Sequence, residues 1–414
     1  MPLLPPQKIS NMQAKTKTTW RTVRLGDFAS VNPPVRLERD KEYPFMDMTN
    51  VVPLSRTTNW LERKTFTGSG ARFDEGDTLF ARITPCLENG KITQVRGVGG
   101  PGFGSTEFYV LRGKEKISDN DFIFYLTRTY RIRKLAEASM LGASGRQRVE
   151  RAAFENIDIT IPEDIDEQKH IAEILSAFDD KIENNNRIIE TLEQMAQAIF
   201  KEWFVKFRFP QYEKIKFVDS PLGKIPKGWK IKALDEVADF LNGIALQNFR
   251  PKDTESNLPV IKIREMNNDI DSNTERASRD IDEKYKVNAG DILFSWSGSL
   301  ELMRWSATTG ALNQHLFKVT SQNYPTWFVF YWVKHHLPYF KLIASSKATS
   351  MGHIQRHHLS EATVVVPSPD ILDQADKLIF PMFEQALKLR IENQKLAAMR
   401  DILLPRLMNG KIRV

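Results

Sequence analysis

The sequence predicts an α+β fold: two similar globular domains separated by two long helices that pair as an antiparallel coiled coil, built on a pseudo-two-fold internal repeat. Three observations lead there. Residues 171–200, "IAEILSAFDDKIENNNRIIETLEQMAQAIF", hold no Gly or Pro and read as one unbroken helix. A second such rod, "FEQALKLRIENQKLAAMRDILL", occupies 383–404. The globular stretch ahead of the first rod returns, in the same order, ahead of the second.

The repeat is carried by four segments. "WRTVRLGDFASVN" from Trp20 returns as "WKIKALDEVADFLN" from Trp229, and "EGDTLFAR" at 75–82 as "AGDILFSW" at 289–296. "FIFYLTR" at 122–128 returns as "FVFYWVK" at 328–334, and "FENIDITIP" ending at Pro162 as "LSEATVVVP" ending at Pro367. Shared order at a nearly constant offset of about 205–214 residues makes chance similarity a poor explanation, and the drift is what loop insertions produce. The layout expected is a flexible N-terminal tail at 1–18, a globule at 19–165, a spacer helix at 166–207, a second globule at 208–368 and a second spacer helix at 369–414.

Within each globule the pattern is strands and turns with a little helix. "ERKTFTGSGARFDEGDTLFARI" reads as strand, turn, strand, and "DNDFIFYLTRTYRIRKLAEASM" as a helix. "PTWFVFYWVKHHLPYFKLIASS" reads as a helix interrupted by Pro338, and "IDITIP" and "ATVVVP" as the last strands before the rods. In the first rod Ile171, Leu175, Phe178, Ile182, Asn185, Ile189, Leu192, Ala196, Ile199 and Trp203 recur in steps of four and three. The second gives Ala375, Ile379, Met382, Ala386, Leu389, Asn393, Leu396, Arg400 and Leu403, a row that Arg400 breaks. Asn185 and Asn393, one in each apolar row, are the kind of polar residue that fixes coiled-coil register. Pro381 predicts a kink in the second rod or its true start. The alternative to pairing is two amphipathic helices, each packed on its own globule. With pairing, about 35–40 helical residues at 1.5 Å each make a spacer of roughly 55 Å.

Composition narrows the class. The chain has 414 residues, 41% hydrophobic and 27% charged, which is normal for a folded protein of two or three domains. No apolar run nears the ~20 residues needed to cross a bilayer, and the N-terminus lacks the apolar core of a signal peptide, so a cytoplasmic protein is expected. Cys86 is the sole cysteine, which excludes intrachain disulfides and cysteine-rich zinc sites. A net charge of +7 permits nucleic-acid binding without requiring it.

"GDTLFAR", "GDILFSW", "IPEDIDEQKHIAEILSAFDDKIENNNRIIETLEQMAQAIFKEWF", "IPKGWKIKALDEVADF" and "LLPRLMNGKI", in this order and duplication, resemble the specificity subunit of type I restriction–modification systems. The likeness covers nearly the whole chain after the tail. It implies two target-recognition domains held apart by an antiparallel pair of the family's conserved helices, no catalytic activity and no cofactor. It also implies double-stranded DNA as ligand, two methyltransferase (modification) subunits as partners and, through them, the restriction (translocase–nuclease) subunits.

Base readout needs Arg or Lys for guanine, Asn or Gln for adenine, and Ser or Thr for either. Two segments per globule supply them. The first follows the Gly-Asp-x-Leu-Phe strand: Arg82, Thr84, Asn89 and Lys91, matched by Ser295, Trp296, Ser297 and Ser299. The second precedes the last strand: Ser144, Arg146, Gln147 and Arg148, matched by Ser350, His353, Gln355 and Arg356. The bland alternative is solvated loops, which are rich in the same residues. Arg128 and Arg131 lie on a helix either as a phosphate stripe or as an ordinary solvated face. Phe200, Trp203, Phe204 and Phe207 at the first rod's end, with Leu407 at the second's, exceed what a helix pair can bury; the two readings are partner docking and packing against the neighbouring globule.

Catalytic look-alikes fail on inspection. "NPPV" at 32–35 has Val35 where a DNA amino-methyltransferase would need an aromatic to stack on a flipped base. "GVGGPGFG" at 97–104 lacks the Gly-Lys-Ser/Thr of a phosphate loop. "PED…EQK" at 162–169 is too compressed for a nuclease motif, and its acids suit a helix N-terminus. His353 and His357 lack a third ligand, so no metal is expected. The rival readings are a coiled-coil scaffold and a DNA-modifying enzyme with an unfamiliar site.

Overall fold

The computed structural model describes residues 19–414 except 54, 57–61, 144, 253–256, 269, 272 and 347–351. The tail expected at 1–18 lies outside the described residues. The chain divides into two compact units, Met1–Glu183 with Lys395–Val414, and Asn184–Gln394. Both divisions fall inside a rod, so each unit holds a globule and a stretch of each long helix.

In the first unit the opening strand Trp20–Arg24 pairs antiparallel with the closing strand Asp158–Pro162, which brings the ends of the globule together beside the rod. One sheet runs Ala29–Val31, Phe108–Gly113, Thr78–Ala81, Ile92–Gln94, all antiparallel. A second runs Glu62–Thr65, Glu42–Met46, Gly102–Gly104, Ala71–Phe73, with its central pair parallel. The strand–turn–strand expected over 62–83 is therefore split: Glu62–Thr65 and Ala71–Phe73 are not neighbours but opposite edges of the second sheet.

The second unit repeats this arrangement of sheets. Lys230–Ala233 pairs with Thr363–Val366. Its sheets run Asp239–Asn242, Leu316–Thr320, Ile292–Ser295, Leu302–Arg304, and Arg276–Ser278, Asn257–Ile261, Gly310–Leu312, Lys286–Val287, again with one parallel pair at the centre of the second. The duplication seen in sequence is thus a duplication of topology and register.

The repeated Gly-Asp-x-Leu-Phe segment has a physical cause. Gly76 and Gly290 take φ of 84° and 101°, which glycine adopts without penalty, and begin the turn into the central strand. The following carboxylates close that turn, Asp77 accepting from Asp74 N–H at 2.7 Å and Asp291 from Asn288 N–H at 2.8 Å. The strand itself is apolar on both faces because it lies between two cores. Phe80 packs under the helix that carries Phe122, while Leu79 joins Met46, Phe73 and Val110 on the other side.

Several helices depart from expectation. Residues 120–138 form two helices, Asn120–Arg128 and Tyr130–Ala138, because Thr129 takes an extended conformation. Thr326–Ser346 passes through Pro338 without a break, since Phe340 and Ala344 beyond it are buried in the core. The second rod starts at Pro369, where a missing N–H costs nothing, and runs through the exposed Pro381 to Met408. The first rod spans Ile165–Phe200 and leaves by a wide turn, Lys206 N–H to the Lys201 carbonyl, that turns Trp203 and Phe204 inward.

That turn corrects the docking residues. Phe200, Trp203 and Phe204 are buried against Trp327, Phe328 and Trp332 of the second unit's own core, and Phe207 packs edge-on to Trp229. Leu407 is buried in the first unit's core beside Leu404 and Met408. The surplus aromatic surface is covered from within.

The rods pair antiparallel inside each unit. In the second, Ile189 and Leu192 pack on Ala386 and Leu389, Asn185 Nδ2 donates to Asn393 Oδ1 at 2.8 Å, and Arg390 meets Glu193 at 2.6 Å. In the first, Ile171 and Leu175 share a core with Leu404 and Leu407, and Arg400 bonds the carboxylate of Asp179. Arg400 does not disturb its row after all, because it is a buried charge with a buried partner. Asp179 also accepts from Tyr125 Oη at 2.6 Å and lies 3.8 Å from Arg128. Burial, aided by the neighbouring Arg400 guanidinium, pulls Arg128 down to about 10. In the second unit Phe383 and Ala196 take the places of Asp179 and Arg400, so the same crossing is apolar there.

Two cations around one buried carboxylate predict strong coupling. Asp179→Ala is expected to cost about 3–5 kcal/mol, because it leaves Arg400 and Arg128 buried without their common anion. Adding Arg400→Ala should recover part of that loss, although alone it destabilises. Urea denaturation of the full chain measures the cycle, and additive effects would contradict a shared node.

Candidate nucleic-acid interface

In each unit the segment leaving the central strand meets the segment ahead of the short helix that precedes the last strand. Val149 N–H donates to the Arg82 carbonyl at 2.8 Å, Thr84 N–H to the Gln147 carbonyl at 3.0 Å, and Ile83 bridges Arg148. In the second unit Ile354 N–H donates to the Trp296 carbonyl at 2.9 Å and Ser297 bridges His353. The two segments that sequence reasoning picked out are thus brought together in both units, in the same backbone frame.

The frame fixes the correspondence between copies. Arg82 stands where Trp296 does, and Arg148 where His353 does. Arg356 matches Arg151 instead: each opens its short helix, and each donates to a carbonyl of the matching edge strand, Arg151 to Val31 at 3.0 Å and Arg356 to Phe240 at 3.1 Å. The match of Arg356 to Arg148 expected from sequence is therefore corrected, and Arg356 is tied to the scaffold, its guanidinium 5.6 Å over Phe317.

A third position, missed in sequence, completes the frame. Arg82 N–H donates to the Glu107 carbonyl at 3.0 Å, and Trp296 N–H to the His315 carbonyl at 3.3 Å. Arg148 clamps the Glu107 carboxylate with Nε at 2.9 Å and a terminal nitrogen at 2.6 Å, while Arg82 Nε lies 3.5 Å away. The Arg148 clamp, with Arg82 adding to it, holds Glu107 below the usual carboxylate range. In the second unit His315 Nδ1 is 3.0 Å from Ser297 Oγ, and the Trp296 indole lies 5.8 Å from the His315 ring.

The remaining candidates divide by exposure. Asn89, Arg146, Ser299 and Gln355 face solvent. Lys91 reaches back to the Met48 carbonyl at 2.8 Å, and Arg131 to the Asp158 carbonyl at 3.3 Å. Ser144 and Ser350 lie outside the described residues. Burial corrects four of the expected contacts. Arg128 is enclosed at the Asp179 node and takes no part in a phosphate stripe. Ser295 is fully buried, its Oγ donating to the Ser299 carbonyl at 2.6 Å and accepting from Glu301 N–H at 2.7 Å. Thr84 Oγ1 accepts from Gln147 N–H at 3.1 Å, and Ser297 is spent on His315. These hydroxyls shape the loops.

Two neighbouring features resolve the look-alikes. Asn32 of "NPPV" uses its side chain on Val110 N–H at 3.0 Å and its own N–H on the Val110 carbonyl, which makes it a corner of the sheet. Beside it a cavity of about 530 Å³ is lined by Arg36, Arg72, Arg82 and Phe108. His357, His358 and Glu361 bring ligand atoms within 4.8 Å of one another. However, His358 Nδ1 accepts from Gln355 N–H at 2.9 Å, which leaves the ring proton on the nitrogen a metal would need.

The family described as the type I restriction modification DNA specificity domain matches residues 17–194 and 226–399. The MjaIX specificity subunit of Methanocaldococcus jannaschii is 26% identical over 306 residues, covering 71% of this chain and 69% of that one. The HindI specificity subunit of Haemophilus influenzae is 24% identical over 404 residues, covering 82% and 87%. The crystal structure of a type I restriction–modification S subunit from M. genitalium superposes with a TM-score of 0.56 at 15% identity, covering 96% and 98%, which shows a shared fold.

Arg151→Ala and Arg356→Ala are each expected to lower the unfolding free energy by about 1 kcal/mol, the worth of one side-chain-to-backbone hydrogen bond. Denaturant titration checks this. An Arg356→Ala chain as stable as the parent would return Arg356 to the DNA-reading set.

Proposed function

Because the chain belongs to the type I restriction–modification DNA specificity family, we propose that each of its two units reads one half of a bipartite DNA target and that the paired rods set the unread spacer. The chain is a specificity subunit, the non-catalytic DNA-recognition component, and works with methyltransferase and restriction subunits. The observation that carries the two-half reading is one backbone frame used twice with different side chains: Arg82 and Arg148 in the first unit, Trp296 and His353 in the second. Two readers of equal geometry and unequal chemistry suit two unlike half-sites. Exposed Arg146 and Gln355 extend the reading surface, and Asn89 and Lys91 sit on the same loop as Arg82.

Two modification subunits dock on the rods, and the restriction subunits join through them. The buried aromatic residues do not serve this contact. Met195 and Met399 do: they occupy equivalent places on the two rods and are 51% and 54% exposed. DNA as ligand puts the work in the cytoplasm, and among the described residues no helix is long and apolar enough to cross a membrane.

Arg146→Ala should relax one half of the methylated motif and Gln355→Ala the other, each by ~1–3 kcal/mol of discrimination for a bidentate base contact. Sequencing the methylated sites made by the complete complex decides it. A uniform loss on all sequences would reduce both residues to phosphate contacts.

A further inference from the structure

We propose that Glu107 is a positioning residue that presents Arg82 and Arg148 to a guanine in the half-site read by the first unit, and that Glu107 and His315, at one equivalent place, decide how the two units differ. The inference rests on the half-site reading above. It starts from chemistry that the shared backbone frame cannot explain. If the frame needed only its main-chain bonds, any side chain would serve at this place. Yet in the first unit the carboxylate takes two of Arg148's nitrogens, at 2.9 and 2.6 Å, and draws Arg82 Nε to 3.5 Å.

Besides these, Arg148 gives one terminal nitrogen to the Arg146 carbonyl at 3.4 Å, and the rest of its five donors stay on its far side. Arg148 and Arg82 keep 44% and 30% of their side-chain surface exposed, against 20% for Glu107, so the cations stand outside the anion that holds them. The Tyr109 ring, 5.3 Å from the Arg82 guanidinium, supports it from the other side. Two cations on one carboxylate leave a net positive charge, which favours approach to DNA. The fixed planes of the guanidinium forks match the paired O6 and N7 acceptors of guanine in the major groove. Holding the forks in place before DNA arrives removes the rotamer entropy that a free arginine would lose on binding.

The second unit cannot do this. Its equivalents are Trp296, His315 and His353, with His315 turned to Ser297 Oγ at 3.0 Å. Arg356 stands at the place of Arg151, not of Arg148, and is tied to the Phe240 carbonyl at 3.1 Å, so it is not a counterpart of the Arg148 fork. Its half-site is therefore read at this node without a guanidinium–guanine contact.

The test uses the complete complex, with methylated sites sequenced from a randomised DNA library. Glu107→Gln keeps shape and removes the charge; Arg148→Lys keeps charge and removes the fork. Both are expected to relax the same guanine position in one half-site, by tenfold or more, with the other half-site unchanged. Relaxation at different base pairs, or a uniform loss with the motif intact, would overturn the positioning role while leaving the half-site reading in place. Relaxation of both half-sites together would instead overturn that reading, and this proposal with it. If Glu107→Gln fails to assemble, Arg148→Lys decides the matter alone, because its failure to relax any guanine overturns the proposal.

Discussion

Everything in this chain depends on the antiparallel pairing of two helices that lie over 200 residues apart in sequence. The first compact unit is made from two separate segments, and the second, one continuous stretch, is closed by its two ends. The first needs residues 395–414 to close over Ile171 and Leu175, and the second needs both 184–207 and 369–394 around Trp327 and Phe328. A helix pair of this kind is determined less by apolar area, which tolerates sliding, than by polar groups that are costly to misplace. The chain has two such keys. Asn185 with Asn393 serves the second unit, and Asp179 with Arg400 the first. A slip of one heptad would part the buried Asp179 carboxylate from the Arg400 guanidinium.

The two units share a scaffold and differ in chemistry. Strand order, register, the glycine turn and the arginine that opens the short helix are common to both. The charged Asp179 node of one is the Phe383 and Ala196 contact of the other, and the Arg82–Glu107–Arg148 cluster of one is the aromatic Trp296–His315–His353 group of the other. Variation is tolerated where side chains leave a fixed backbone frame, and that is the arrangement a reader of two unlike DNA sequences requires.

Much of this was legible in the sequence, and the failures have physical reasons. The repeat, the rods and the lone asparagines could be read because periodicity and order survive without contacts. The prolines misled because Pro338 and Pro381 sit in helices held by packing on either side, which outweighs a missing backbone bond. Arg128 looked like a surface stripe because the break at Thr129, which buries the end of the first helix, has no Gly or Pro to announce it. The aromatic end of the first rod looked unburied because its cover, Trp327 to Trp332, lies far along the chain. Glu107 was invisible for a different reason. It precedes a strand, belongs to no motif, and its counterpart is a histidine, so only the shared hydrogen bond to the preceding loop reveals the match.

The central claim is that paired rods fix the distance between two readers. It is tested most directly by lengthening both rods by four residues, after Glu183 and after Lys395. This adds about 6 Å of helix and a little over one turn, so the apolar rows stay nearly in phase and pairing survives as a stutter. With B-DNA rising ~3.4 Å per base pair, the methylated motif of the complete complex should keep both half-sites and gain one or two base pairs of spacer. An unchanged spacer would contradict the account, because something other than the rods would then set the distance.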